Sequence, residues 1–304
     1  MRRLVGRAFY WSPERLGRLV QETLDQLLSP HLQAGHLEVI ADLAAPLPVM
    51  VIARMLGVPA RDCLLLKPWA DELSHILDPL MPLETYAHLN RMMEQFTTYF
   101  QDLVNERQKR PQDDAISALL SADDPELNLT DLMAICIVLF MTGEETTVNT
   151  IGNGLLALLQ HPDQLQILRQ TPDLIPAALD ELLRFESPLQ LTARVATCPV
   201  ELRQKTIEPG QTVFLSLGAA NRDPAQFPDP DRLDVQRIAT SHLAFGDGIH
   251  YCLGAGLARI QGHLALQRLL ALPDLQLGSN TWQWRKNIAL RGVQSLPITF
   301  LPHS

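Results

Sequence analysis

Residues 241–259 read SHLAFGDGIHYCLGAGLAR, and the rest of the chain is organised around them. One cysteine, Cys252, stands between a glycine-punctuated loop and the first turns of an expected helix. Gly246 and Gly248 free the backbone for turns that a side chain disfavours. Phe245 precedes them and is placed to cover the loop. After Cys252 the run Leu253-Gly254-Ala255-Gly256-Leu257-Ala258 lines one side of that helix with very small residues. A sulfur here meets the positive end of a helix dipole and free backbone N–H groups, and both favour thiolate over thiol. The small residues let something flat and large approach the backbone.

Three chemistries fit such a cysteine. A buried, inert thiol is the first. Zinc is the second, and it needs further Cys or His ligands at short spacing. Only His250 is near, and Cys63, Cys136 and Cys198 are solitary. Haem iron is the third: it takes one axial cysteine and leaves the opposite position for oxygen. A single thiolate in an apolar, Gly-rich loop suits it.

The run Phe245-Gly246-Asp247-Gly248-Ile249-His250-Tyr251-Cys252-Leu253-Gly254 resembles the haem-binding loop of the cytochrome P450 family in its soluble bacterial form. The resemblance implies haem as cofactor, Cys252 as its axial ligand, and Phe245 and Gly246 as part of the loop that holds it.

Length and composition agree with a globular enzyme. The chain has 304 residues, enough for one large domain, with 46% apolar and 19% charged residues. A formal charge of −9 argues against a nucleic-acid binder. Four scattered cysteines give no disulfide framework and fit a reducing, cytoplasmic setting. No unbroken apolar run of about 18 residues is present, so no membrane span is expected. The N-terminal arginines have no long apolar stretch behind them, so no signal peptide is expected.

In chain order, Leu4, Val5, Ala8 and Phe9 have helical spacing with no cap residue before them. In the resembled family a similar helix crosses one haem propionate, which makes Arg2 the propionate partner. Ser12 and Pro13 open a helix to residue 28. Residues 37–56 read as two helical pieces broken by Pro46 and Pro48, and further helices cover 61–77 and 84–109 around a turn at 79–82. The family's lid over the substrate lies here. Trp69, Ile76, Leu77, Met81 and Phe96 are its pocket candidates, and core packing explains each of them as well.

A short helix over 113–121 and a turn at Asp123-Asp124-Pro125 lead to the longest helical signal, about 130–160. Ten apolar residues, 132–141, mark it as a buried helix. Thr142-Gly143-Glu144-Glu145-Thr146-Thr147 interrupts them, and buried carboxylates are costly unless paired or used. Gly143 weakens the helix, and the Thr146 hydroxyl is placed to reach the Thr142 carbonyl and open a bend. The segment is similar to the family's oxygen-binding helix, which implies that Glu145 and Thr146 deliver protons. Thr142 stands where the family usually has Ala.

Helices over 162–170 and 176–185 follow. Glu181 and Arg184 lie three apart on one helix face, and a surface ion pair is the plain reading. The resemblance makes them a core lock, with Arg232 of the 227–232 segment as third member. Residues 195–202 and 211–217 read as strands joined at Pro209-Gly210. Arg194 before them and His250 are implied as propionate partners, and Asn221-Arg222-Asp223-Pro224 also resembles the family. Residues 282–300 alternate as in a final hairpin, with Leu290-Arg291-Gly292 matching a family strand end.

These features define one domain over residues 1–304. The expected fold is mainly α with a small β portion, a haem-thiolate fold lacking the N-terminal sheet region and first helices of its family. The 304-residue product alone is then expected to aggregate or to bind haem weakly. The implied reaction inserts one oxygen atom of O2 into a small organic substrate. Electrons come from outside, since no Gly-x-Gly-x-x-Gly signature follows a strand. A ferredoxin-type donor with its reductase is the implied partner, and Arg3 and Arg7 share a face that could contribute to its docking. The rivals are an inactive haem-binding fragment and a peroxide-driven haem enzyme; the acid and Thr at Glu145 and Thr146 count against the second.

Overall fold

The computed structural model describes residues 2–9, 11–74, 76, 81–122, 127–237 and 241–302, without the side chains of Leu4, Arg7, Leu64 and Ser74. Leu77, the first half of the expected turn at 79–82, the Asp123-Asp124-Pro125 turn and the Arg7 side chain therefore lie outside the described residues.

Helix α1 (Arg2–Ala8) leads into α2 (Pro13–Leu28), where the Ser12 hydroxyl accepts the Arg15 N–H at 3.3 Å and Pro13 takes the first position. The next stretch departs from the expected helix pair. It holds a short strand β1 (His36–Glu38), a π-helical turn (Val39–Ala44) and α3 (Pro46–Leu56). Pro46 and Pro48 lie in the first turn of α3, where a missing N–H costs nothing. The segment Val39–Leu56 is long and apolar enough to cross a membrane, but 78% of it is buried inside the fold, so it is a core element.

Helices α4 (Cys63–Ser74), α5 (Thr85–Lys109), α6 (Ala115–Leu120) and α7 (Leu129–Gln160) follow. Asp114 caps α6 through the Ser117 N–H at 2.8 Å, and Asn128 caps α7 through the Asp131 N–H at 2.9 Å. Helices α8 (Pro162–Gln170) and α9 (Ile175–Phe185) precede strands β2 (Leu191–Val195), β3 (Val200–Leu202), β4 (Lys205–Ile207) and β5 (Thr212–Ser216). A short α10 (Leu217–Ala220) and the long α11 (Ala255–Leu270) come next, then β6 (Gln276–Leu277) and β7 (Pro297–Thr299).

The expected strand over 195–202 is two strands in two sheets. β2 pairs antiparallel with β5, and β3 with β4. Arg194 lies inside β2 rather than before it. The tail forms no regular hairpin: one bridge joins Trp284 to Val293, and β7 instead lies between β1 and β6.

Two apolar cores form, and α7 runs through both. Leu132, Cys136, Ile137 and Phe140 pack with α4 and α5. Val148, Ile151 and the run from Leu155 to Leu158 pack with α2, α9 and α11. The polar stretch 142–147 falls where the helix passes from one core to the other, which is how carboxylates come to sit inside an apolar helix. The helix is continuous there, from Leu129 to Gln160. Gly143 serves packing: a Cβ on it would lie 2.0 Å from Ile52 Cδ1, so the glycine lets α3 cross α7 closely. Phe96 is fully buried in an aromatic cluster with Trp69, Phe100 and Phe140, which supports the core-packing reading for Phe96.

Candidate active site: a cysteine loop and the acids of the long helix

The loop is built by backbone turns. Gly246 and Gly248 take positive φ angles of 71° and 62°, which only glycine adopts freely. The Gly246 N–H donates to the Leu243 carbonyl at 2.8 Å, and the Cys252 N–H donates to the Phe245 carbonyl at 2.8 Å. This closes the loop upon itself and leaves the Cys252 side chain at the surface. Helix α11 starts three residues later than the cysteine, so the sulfur meets a turn before the helix.

The Cys252 sulfur reaches the surface, yet protein surrounds most of it. Desolvation pushes the thiol above its ordinary range. The Gly254 N–H, Arg2 and Arg259 act in the opposite direction. The expected preference for thiolate is present in those three influences, but burial outweighs them. A ligand cation would complete the balance, because a coordinating thiol is deprotonated outright.

Around the sulfur the surface is apolar and open. Ile249 is 83% exposed, and Tyr251 and Leu253 of the same loop are exposed too. No protein atom lies within 4 Å of where a Cβ on Gly248 or Gly256 would sit, apart from their own neighbours. Among the described residues no three metal-ligating side chains come together. One thiolate donor within an apolar wall fits haem, with its single axial cysteine.

Arg2 donates to the Tyr251 carbonyl, which brings α1 against the loop beside Cys252. His250 is exposed in the short 3-10 turn Gly248–His250. Arg194 is held on β2 by Thr192 and Ala193, at 3.1 and 2.7 Å from its Nη1. Phe245 is half-buried; Arg259 lies over its ring at 4.5 Å, and Tyr251 stands beside it.

On α7 the two adjacent acids differ. Glu145 accepts from Arg285 Nη1 at 2.7 Å and from Asn149 Nδ2 at 3.4 Å. Glu144 faces α4, where Lys67 Nζ is 3.4 Å away and also binds Asp71 at 2.6 Å. Burial pushes the Glu144 carboxyl well above its ordinary range, with the Asp71 charge adding to it and Lys67 opposing. The Thr146 hydroxyl reaches the Thr142 carbonyl at 3.3 Å, as the sequence predicted, and Thr142 does the same to Val138 at 2.7 Å.

Glu181 and Arg184 are each 1% exposed and form a bidentate pair at 2.7 and 2.9 Å, so they are core residues and not a surface pair. The third member is Arg237, not Arg232. Arg237 Nε lies 3.1 Å from Glu181 Oε2, whereas Arg232 is exposed and contributes its carbonyl, to Arg184 at 3.3 Å and to Arg237 at 3.2 Å. Two arginines five apart follow the Pro-rich segment, and the intervening buried Leu233 and Val235 decide which one turns inward.

Asn221 is a residue whose role sequence reasoning missed. It is fully buried; its carbonyl accepts from Arg184 at 2.8 Å and its side-chain oxygen accepts the Leu243 N–H at 2.7 Å. It ties the ion cluster to the start of the cysteine loop. The only sequence signal was its place before Arg222-Asp223-Pro224.

The likeness to known proteins is extensive. A cytochrome P450 family profile matches residues 65–290. A biotin biosynthesis cytochrome P450 of Bacillus subtilis (strain 168) is 43% identical over 281 residues, 92% of this chain and 71% of that protein. The vitamin D(3) 25-hydroxylase of Pseudonocardia autotrophica is 39% identical over 314 residues, covering 100% of this chain and 76% of that one. A crystal structure of P450BioI in complex with hexadec-9Z-enoic acid ligated acyl carrier protein superposes with a TM-score of 0.95 at 42% identity, over 99% of this chain and 78% of the other. With its cysteine loop, its helix-rich fold and these relatives, the chain belongs to the cytochrome P450 family, the haem-thiolate monooxygenases.

Proposed function

We propose that Cys252 is the axial ligand, that Arg2, Arg194 and His250 hold the propionates, and that Glu145 and Thr146 deliver protons to the distal side. The observation that carries this reading is the surface-facing Cys252 in a closed, glycine-turned loop with Arg2 beside it. Haem bound there supplies oxygen activation, with the thiolate donating electron density. The protein's residues do the rest. The loop fixes the sulfur, and the exposed apolar side chains exclude water from the bound face. Glu145 is paired with Arg285, whose side chain is partly solvent-exposed, so the acid has a link to bulk water. Thr146, one residue on, carries a hydroxyl that is half-buried and bonded only to its own helix at 3.3 Å, free to turn and pass a proton.

A ferredoxin-type donor with its reductase supplies the electrons, and exposed Arg3 on α1 belongs to the docking face. The cytoplasm is the compartment that suits four unpaired cysteines. The relative crystallised with a carrier-borne acyl chain makes a long-chain acyl group the first substrate class to test.

Two variants test the assignment. Cys252→Ser removes the red-shifted Soret band that thiolate-ligated haem shows after reduction under carbon monoxide; an unchanged band refutes the ligand. Thr146→Ala keeps haem but diverts reducing equivalents to hydrogen peroxide, lowering the product formed per reduced cofactor consumed. A steady ratio and rate make Thr146 a packing residue.

A further inference from the structure

Beneath the cysteine loop lies a charged chain that the haem pocket itself does not contain. Asp180, on α9 next to Glu181, receives two donors on one oxygen. His242 Nε2 lies 3.1 Å from Asp180 Oδ1, and Arg259 Nε lies 2.9 Å from it. His242 Nδ1 accepts the Ala244 N–H at 3.2 Å, so Nε2 carries the proton and points at Asp180. Arg259 continues the chain. Its Nη1 donates to the Tyr251 hydroxyl at 3.2 Å, and its guanidinium covers Phe245.

The chain thus grips both ends of the loop. His242 and Ala244 fix its start, where the Phe245 carbonyl accepts the Cys252 N–H. Tyr251 fixes its end, one residue before the sulfur. Arg259 is the shared cation, and it acts on the Cys252 sulfur through space. Burial alone would raise the Asp180 carboxyl, but the His242 and Arg259 hydrogen bonds outweigh it and hold it below the ordinary range. Asp180 is therefore the anion that both places Arg259 and offsets its charge.

We propose that Asp180 is a positioning residue for the axial cysteine: by fixing Arg259 between Phe245 and Tyr251 and balancing its charge, it sets the field at the sulfur and so the reduction potential of the bound haem. The inference rests on the reading of Cys252 as ligand. Charge and hydrogen bonding around an axial sulfur are among the levers a protein has on such a potential. Reduction adds one electron from the external donor, so uncompensated positive charge nearby favours the reduced state. The sign follows. Asp180→Asn keeps the shape and an acceptor but removes the negative charge, and the potential rises. Arg259→Gln removes the cation, and the potential falls.

The test is a redox titration of the haem-loaded enzyme and the two variants, alongside melting temperature and the carbon monoxide spectrum. Asp180→Asn is expected to move the oxidised-to-reduced equilibrium about tenfold towards reduced, a shift of about 59 mV for one electron. Arg259→Gln is expected to move it the opposite way, and Asp180→Glu, which keeps the charge, to stay within about threefold of the parent. A merely structural Asp180 would lower melting temperature and haem content while leaving the potential of the loaded protein where it was, and that result overturns the proposal. So do shifts of the same sign in both single variants. If Asp180→Asn does not retain haem, Arg259→Gln decides alone: a fall supports the proposal, and no change or a rise overturns it. The spectrum separates the two readings. A parent enzyme without the red-shifted band refutes Cys252 as ligand, whereas a retained band with unmoved potentials refutes only the role of Asp180.

Discussion

Glu181 and Glu144 are both buried acids on long-range helix contacts, and they are treated oppositely. Glu181 is 1% exposed and accepts from two guanidinium groups and the Asp234 N–H, at distances from 2.7 to 3.2 Å. Both of its oxygens are fully engaged. Glu144 is 2% exposed, and its Oε1 makes no hydrogen bond. One ammonium at 3.4 Å, itself bound to Asp71, is its opposite charge. Burial then wins, and the acid is driven towards its neutral form. The difference lies in the donors: position in a core is the same for both acids, and the number and aim of the groups facing them are not. The satisfied acid anchors the base of the cysteine loop, and the poorly satisfied one lies beside the proposed proton-delivery pair.

Breaking the first cluster has the largest effect. Glu181→Ala leaves the buried Arg184 and the half-buried Arg237 without their carboxylate, a loss of about 3–5 kcal/mol. The variant is expected as haem-free or unfolded protein, read by haem content and a thermal melt. Arg232→Ala removes only an exposed side chain and is expected to stay within about 0.5 kcal/mol of the parent. Equal losses in the two variants would mean that Arg232, not Arg237, closes the cluster.

What the sequence revealed, and what it concealed, follows the same division between local and distant causes. The long helices were legible because caps and periodicity are local: 84–109 was expected for α5 and 130–160 for α7, each within one residue of the observed start. The turn glycines and the cysteine were legible for the same reason. Strand β1 was not, because its apolar residues read as helix and its partner β7 lies far along the chain at Pro297–Thr299. Arg237 was hidden because two arginines were equivalent until Leu233 and Val235 were seen to be buried. The packing role of Gly143 was hidden since the pressure on it comes from Ile52, on another helix.

Gly143 gives the second break, of intermediate size. Its Cβ would stand 2.0 Å from Ile52 Cδ1, the far end of a flexible side chain, so partial relief is available. Gly143→Ala is expected to cost about 1–3 kcal/mol through overpacking, net of the gain in helix propensity. Ile52→Val in the same chain is expected to restore most of the loss, and the coupling is measured by a double-mutant cycle of urea melts. Additive losses would show that the two side chains do not meet.

The smallest effect sharpens the comparison most, because its sign changes the interpretation. The Glu144 carboxyl titrates higher in the folded chain than its ordinary 4.5. Between that value and its raised folded value, the folded state holds a proton that the unfolded state has lost. Stability from this group is then fully present below about pH 4.5 and is lost as pH rises through the window. Glu144→Gln keeps shape and polarity but cannot titrate. Its melting temperature is expected to match the parent at low pH and to exceed it increasingly above that. The gain is about 1 kcal/mol one pH unit into the window, or roughly 2–4 °C for a chain of this class. Glu181→Gln offers the contrast, since replacing a fully paired charge should destabilise across the same range. If Glu144→Gln is instead the less stable protein at neutral pH, the Lys67 ion pair outweighs burial. Glu144 would then belong with Glu181 as an acid stabilised by its partner, and the distinction drawn between the two acids would fail.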